Sequence, residues 1–347
     1  MAKKSLTIRD VAERAGVSVS TVSRIISGTE SLISISEETR TKVFKAAKEL
    51  SYRPHPGARA LRGKTTNMLG VIARDVEDPF FSKLIRNISM AAQELGYEIV
   101  LATANADPSR ALKISHTMLN MRYCDGLLLL GDLLETPEDL TYLEKMGWNL
   151  PLVLVCRGTK QLVGDNISIG TDNRAGTCLA LEYLAGLGHQ KIAFLSGGRL
   201  GDLNERQDAY EEFMQARFGQ VVDEYFLEAE NSLEGGYQGA QELLGLPEPP
   251  SAIFASDDMM AMGVLKAAAD MGVKVPDQLS VIGFDDIHFA SYTIPALTTV
   301  HQPIDEISRQ AVQLLDGFLK SEQSQETQHV NIQPQLVIRK SCCPPQK

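Results

Sequence analysis

Several things are missing from this sequence, and each absence removes a class of protein. Its five cysteines (Cys124, Cys156, Cys178, Cys342 and Cys343) form no C-x-x-C pair and no Cys/His cluster, which leaves neither a disulfide framework nor a structural zinc site. No stretch approaches 18 uninterrupted apolar residues, and Lys3 and Lys4 are followed by no apolar run, so neither a spanning helix nor a secretory leader is expected. The expected setting is cytoplasmic and reducing. No Walker A, G-x-S-x-G or H-E-x-x-H motif occurs, and His55, His116, His189, His288, His301 and His329 are dispersed without suggesting a triad; His189 reads as structural. Ser196-Gly197-Gly198-Arg199-Leu200-Gly201 follows a strand-like run, yet it lacks the G-x-G-x-x-G spacing and the later acidic residue of a dinucleotide turn. The expectation is a non-enzyme with no cofactor and no metal.

Basic residues are also short overall, 34 Lys and Arg against 44 Asp and Glu, which taken alone argues against a polyanion partner. Their distribution reverses that inference. Residues 1–64 hold 13 basic and 6 acidic side chains, leaving 21 and 38 for the remainder. A basic end on an acidic body is the electrostatic outline of a nucleic-acid-binding head, because counterion release draws the head to phosphates while the body resists non-specific adhesion. At 347 residues, 44% hydrophobic and 22% charged, the chain is long enough for two or three globular domains.

The first fifty residues carry a helical pattern three times. Thr7 can cap a helix in which Ile8, Val11, Ala12 and Ala15 fall at i, i+3, i+4 and i+7, with Asp10 placed for a capping box and Gly16 as terminator. Ser18 can cap a second helix with Val22, Ile25 and Ile26 inward and Val19, Ser20, Ser23 and Arg24 outward. A third starts at Ser36 and runs through Val43, Ala46, Ala47 and Leu50, stopping before Pro54. In such a helix-turn-helix the second helix enters the major groove by its N-terminal end. Val19 and Ser20 are then placed for base edges, and Arg24 for a guanine edge or a phosphate. Thr7, Ser18, Thr21 and Ser23 suit phosphate oxygens or, equally, helix caps.

The run Thr7-Ile8-Arg9-Asp10-Val11-Ala12-Glu13-Arg14-Ala15-Gly16-Val17-Ser18-Val19-Ser20-Thr21-Val22-Ser23-Arg24 resembles the DNA-binding signature of the LacI family of transcriptional regulators, and the likeness extends along the whole chain. The resemblance implies that Val19 and Ser20 choose the operator and that Arg24 contacts a base. It differs at Gly28 to Ile35, which is a residue or two longer than usual. In the linker, residues 53–66, the resemblance implies a short helix formed on operator DNA, with Ala58 at its start and Leu61 wedged into the minor groove. Ala58 to Arg62 make little more than one turn, too short to hold as a helix in water. His55 stands where the family usually has asparagine, and Pro56-Gly57 opposes an early helix start.

Beyond Met68, short apolar runs (Leu69 to Ala73, Ile99 to Ala104, Gly126 to Leu130, Leu152 to Val155, Ile192 to Leu195, Ala252 to Ala255, Leu279 to Gly283) alternate with helical segments. This is the arithmetic of parallel sheets covered on both faces, whose ligands bind beyond the carboxyl ends of the strands. Those ends carry Arg74, Asp75, Asp78, Phe80, Phe81, Gly131, Asp132, Arg157, Asp172, Asn173, Arg206, Ser256, Asp257, Asp258, Asp285 and Asp286. Carboxylates beside a guanidinium match the vicinal hydroxyls of a sugar, and Phe80 or Phe81 either stacks on the ligand or packs in the core. The family resemblance narrows the set through Arg206-Gln207-Asp208-Ala209-Tyr210, Ser256-Asp257-Asp258-Met259-Met260-Ala261-Met262-Gly263 and Val281-Ile282-Gly283-Phe284-Asp285-Asp286. It implies effector contacts at Arg206 and Asp285, with Asn173, Ser256 and Phe80 lining the pocket; Asp75, Phe81 and Asp258 complete the candidate set. Ala209 and Ser256 depart from the family's glycine and asparagine.

The fold class expected is α/β: an all-α helix-turn-helix head over residues 1–52, then a periplasmic-binding-protein-like body over 67–340 made of two parallel-sheet subdomains. Their expected extents are 67–167 with 298–326, and 168–297 with 327–340, the chain crossing near 167, 297 and 327. Val330 to Ile338 would add one final edge strand, and 341–347 would be a disordered tail with free thiols. The expected function is a sequence-specific DNA-binding regulator, a repressor in kind. Its partners would be double-stranded operator DNA, a small-molecule effector and a second copy of itself, with no membrane. The effector is expected to be a sugar, with a nucleoside or purine as the alternative. A secreted sugar-binding protein would explain the body but leave the basic head unaccounted for.

Overall fold

A computed structural model describes residues 6–27, 35–50, 52, 65–133, 151–158, 167–198, 201–321 and 328–346. The chain divides into two compact units at Thr66, a small helical head and a larger body. In the head, α1 (Ile8–Ala15), α2 (Val19–Ser27) and α3 (Glu37–Glu49) enclose Val11, Ala12, Val22, Ile25, Val43 and Ala46. The Thr7 N–H and hydroxyl both donate to Asp10 Oδ2, at 2.6 and 2.7 Å, and Gly16 closes α1 at φ 67°, in the left-handed region that glycine enters without steric cost. Ser36 Oγ accepts from Thr39 N–H at the start of α3, and Arg14 ties α1 to α3 through Glu49 at 2.7 Å. So small a core depends on each cap.

The body holds two six-stranded sheets. The first runs in the order β11 (Gln328–Ile332), β5 (Ile167–Thr171), β4 (Leu152–Val155), β3 (Gly126–Leu130), β1 (Met68–Ala73) and β2 (Glu98–Thr103), parallel throughout. The second runs β12 (Gln335–Val337), β10 (Thr298–His301), β9 (Ser280–Asp285), β8 (Ala252–Ala255), β6 (Ile192–Ser196) and β7 (Phe226–Glu228), with only β12 antiparallel. Strands β3, β5, β6, β8 and β9 are buried along their whole length, as continuous apolar runs between covering helices require. Those helices are α4 (Pro79–Glu94), α5 (Pro108–Asn120) and α10 (Ile304–Lys320) for the first sheet, and α6 (Asn173–Gly186), α7 (Gly201–Phe218), α8 (Leu233–Leu244) and α9 (Asp258–Asp270) for the second.

Three expectations about this body need correction. The chain changes sheet after β5, after β10 and after β11, around residues 172, 302 and 333, rather than near 167, 297 and 327, because each of those strands completes its pairing before it leaves. The Val330 to Ile338 run is two strands in two sheets, β11 and β12, and not one edge strand. The tail is ordered as far as the described residues go. Ser341 is fully buried, with its Oγ donating to Val281 O at 2.6 Å and accepting from Thr298 N–H at 2.8 Å. His189, buried and structural, sits 2.8 Å from Ser251 Oγ and 2.9 Å from the Cys343 carbonyl, which pins the tail to the core; burial holds its pKa below the ordinary value.

Candidate functional site

In the head, Ser18 Oγ accepts from Thr21 N–H at 3.1 Å and lies 2.7 Å from both Ser20 Oγ and Thr21 Oγ1, so the first turn of α2 is tied by its own hydroxyls. With Val22 and Ile25 buried, Val19, Ser20 and Arg24 are left exposed on the outer face, and Thr21 and Ser23 are half-buried. That exposed row suits a groove. Ala58 and Leu61, and most of the linker, lie outside the described residues.

In the body, polar side chains meet where both sheets end at the sheet crossings. Arg206, on the first turns of α7, is 2% exposed. Its Nε donates to Asn173 Oδ1 at 2.9 Å and its Nη1 to Ser256 O at 2.6 Å, while the guanidinium lies 3.7 Å over the Phe284 ring. Counter-charge comes from Asp202 at 3.5 Å and Asp285 at 3.7 Å. Asp285 ends β9 at φ 111°, and Asp286 follows at φ 55°; two successive non-glycine residues at positive φ are a strained arrangement of the kind that functional sites retain. Gln302, the residue after β10, donates to Asp285 Oδ1. On the first subdomain's side, Arg74 closes β1 over the Phe81 ring at 5.0 Å, and Arg157 pairs with Asp132 at 3.1 Å. Asp132 Oδ2 also accepts from Gly201 N–H of the opposite subdomain.

Burial pushes the Asp285 carboxyl well above the usual range, against the pull of Arg206. Asp257 and Asp132 are raised for the same reason, and Asp78 is pushed up to about 6 by burial and by the charge of Asp257. The site therefore gathers several buried carboxyl groups whose charged form is disfavoured by burial.

Of the expected residues, Asn173, Arg206, Ser256 and Asp285 come together around the Arg206 guanidinium, Asn173 and Ser256 by hydrogen bonds and Asp285 as an ion pair at 3.7 Å. The others are held in local contacts. Asp75 Oδ1 accepts from Glu77 N–H at 2.9 Å in a turn. Phe80 and Phe81 are both buried, edge to face at 5.2 Å, and the Phe81 face is covered by Arg74. Asp258 is fully buried, accepting from Ile287 N–H at 2.9 Å and from the Thr299 hydroxyl, and thus ties α9 to β10 and to the segment that follows β9; a Cβ on Gly283 would collide with it. Asp78, Asp172 and Asp257 are N-caps of α4, α6 and α9. Gln302, Phe284 and Asn231 were not singled out from sequence. Only the position of Gln302 directly after a crossover strand offered a signal.

A groove-reading helix pair joined to a two-lobed polar cleft defines a ligand-responsive DNA-binding protein. Residues 7–55 match the profile of the bacterial regulatory proteins, lacI family, and residues 181–342 that of the periplasmic binding protein-like domain. The chain is 34% identical over 340 residues to the HTH-type transcriptional repressor PurR of Serratia proteamaculans, covering 96% of each chain. It is equally identical over 342 residues to the HTH-type transcriptional regulator DegA of Bacillus subtilis, covering 97% of this chain and 98% of the other. Among solved structures, the Lac repressor dimer bound to operator and the anti-inducer ONPF matches at 27% identity and TM-score 0.81, over 98% of this chain and 100% of that one. A complex of the transcriptional regulator CelR with cellobiose matches at 27% identity and TM-score 0.71, over 97% and 99%. The chain belongs to the LacI family, and it is a DNA-binding transcriptional regulator.

Proposed function

We propose that this protein is a cytoplasmic homodimeric repressor, free of enzymatic activity, whose affinity for operator DNA is set by a sugar bound in the cleft of the body. The observation that carries the reading is the Arg206–Asp285 pair, buried over Phe284 where two sheets meet, with Asn173 and Ser256 beside it. Guanidinium and carboxylate present donors and acceptors in fixed directions, which suits the mixed donor and acceptor character of vicinal hydroxyls. Self-association has support in exposed apolar side chains, Phe289 at 52%, Tyr292 at 72% and Ile294 at 96%, a surface unusual for a protein that stays monomeric. The Lac repressor neighbour is itself a dimer on operator. Val19, Ser20 and Arg24 would read base edges, with Thr7, Ser18, Thr21 and Ser23 near phosphates and Ala58 and Leu61 at the minor groove. Asp75, Phe80, Phe81 and Asp258 would support the pocket that Asn173, Arg206, Ser256 and Asp285 line.

Ligand closing the cleft changes the angle between subdomains at their three crossings, and coupling of this kind is worth about 1 to 3 kcal/mol. The test is to select duplexes from a random pool, then titrate sugars and purines while following operator binding by fluorescence anisotropy. A sugar that shifts the binding curve supports the reading. A response to purine bases or nucleosides alone replaces the sugar with the alternative effector class.

A further inference from the structure

Resting on the sugar reading above, we propose that the effector carries an anionic group, a carboxylate or a phosphate, and that Arg74 is its receptor. Among the described residues three arginines line the cleft, and two have a carboxylate at hand. Arg157 meets Asp132 at 3.1 Å, and Arg206 meets Asp202 and Asp285 at 3.5 and 3.7 Å. Arg74 is 8% exposed, yet no carboxylate among the described residues stands within 4 Å of it, and its buried Nη1 has no hydrogen-bond partner. Its other contacts are the Phe81 ring and, from the opposite subdomain, Asn231, whose carbonyl oxygen takes Nη2 at 3.2 Å when the amide is assigned from its neighbours. The amide nitrogen of Asn231 then faces Asp257.

A buried guanidinium with no carboxylate in direct contact and one Nη unpartnered is unfavourable, and such groups persist where something else supplies the missing contact. The two Nη atoms of an arginine form a planar fork that fits a carboxylate or phosphate by two parallel hydrogen bonds. On the other wall, Asp202 Oδ1 is also buried without a partner, and it would accept a hydroxyl. One end of the ligand is thus acceptor-rich and the other hydroxyl-bearing, the description of a sugar acid or a sugar phosphate. Asp78 and Asp257 lie near enough to feel Arg74's charge, and they repel any anion that this arginine does not hold. They also give the opposite outcome its place in the test, since an amino sugar would be drawn to them.

The experiment is thermal unfolding of the full-length protein with D-glucuronate, D-galacturonate, D-gluconate and D-glucose 6-phosphate, beside D-glucose, D-galactose, D-glucosamine and hypoxanthine. The expected result is that an anionic sugar raises the unfolding midpoint more than its neutral counterpart. Arg74→Met should weaken that ligand by about 30-fold or more, measured as the ligand-induced shift relative to the variant's own unliganded midpoint. Arg74→Lys keeps the charge without the fork and should fall between. Neutral or amino sugars stabilising as well as the anionic ones would overturn the anionic group and leave the sugar reading standing. Stabilisation by hypoxanthine alone would overturn both. An anionic sugar that stabilises Arg74→Met equally well, or a panel in which none of the anionic compounds stabilises the protein, would overturn the proposal.

Discussion

Gln302 Nε2 donates to Asp285 Oδ1 at 2.6 Å, and the same side chain accepts from Thr171 Oγ1 at 2.6 Å through Oε1. Thr171 is the last residue of β5 in the first sheet, and Gln302 is the first residue after β10 in the second. One buried amide therefore joins the carboxylate beside Arg206 to two of the three sheet crossings. Under the proposed function, a ligand held by Asp285 would act on both segments through this amide.

Thr171→Val keeps the shape and removes the hydroxyl, leaving Gln302 Oε1 buried without its donor. The expected loss is about 1 to 3 kcal/mol of stability, read as a lower urea midpoint with an unchanged slope. Because the side chain at this position touches no proposed ligand group, sugar affinity should survive while its effect on operator binding weakens. A variant with parental stability and full coupling would show that the bond transmits nothing.

Arg206→Ala leaves the Asp285 carboxylate buried beside Asp257 and Asp258 with its main counter-charge gone. Removing one partner of a buried ion pair costs about 3 to 5 kcal/mol. The milder Asp285→Asn retains an acceptor for Gln302. Calorimetry should find both proteins without a sugar response, and the asparagine variant folded.

Stability should depend on pH with an unusual sign. The Asp78 carboxyl is raised from 3.8 to about 6, so the folded chain holds a proton that the unfolded chain has released. Stability from this group is complete below about pH 4, falls as pH rises toward about 6, and is level above that. The raised Asp285, Asp257 and Asp132 act in the same direction. Asp78→Asn keeps a good N-cap for Phe80 N–H and removes the charge, so it should raise the midpoint at about pH 7.5 and flatten the curve between about pH 4 and 6. An unchanged pH profile would mean that Asp78 ionises normally.

In the head, two substitutions separate folding from reading. Gly16→Ala places a Cβ in open space, but at φ 67°, which costs about 1 to 2 kcal/mol. Arg24→Ala, at an exposed position, should weaken specific DNA binding by about 1 to 3 kcal/mol. Circular dichroism melts and anisotropy titrations against specific and random duplexes distinguish the two effects.

Ser341→Ala deletes the hydroxyl that bridges Val281 O and Thr298 N–H at 0% exposure. The orphaned Thr298 N–H should lower stability by about 1 to 3 kcal/mol, measurable in urea. No loss would mean that the tail is not held there.

Much of the architecture was readable along the chain because it is written in local repeats. Caps at Thr7, Ser18 and Ser36 and apolar residues at i, i+3, i+4 and i+7 specify the head, and continuous apolar runs between helical segments specify parallel, doubly covered strands. The rim of strand-end polar residues was legible for the same reason, since a strand's end is a local event. What each of those residues does there was not. Asp78, Asp172 and Asp257 cap helices, Asp258 ties α9 to β10, and Asp285 meets Arg206, though all five are aspartates at strand ends.

Charge segregation and helical periodicity were sufficient to show a basic helical head on an acidic α/β body, because both are properties of neighbouring residues, and the resemblance of residues 7–24 to the LacI signature added the DNA-reading role. The crossings at 172, 302 and 333, the anchored tail and the Thr171–Gln302–Asp285 chain came only with folding. Thr171 and Gln302 are 131 positions apart, and no periodicity reaches that far. Such contacts depend on which strands pair, on the space that Gly283 leaves for Asp258, and on which buried charges find partners once water is excluded.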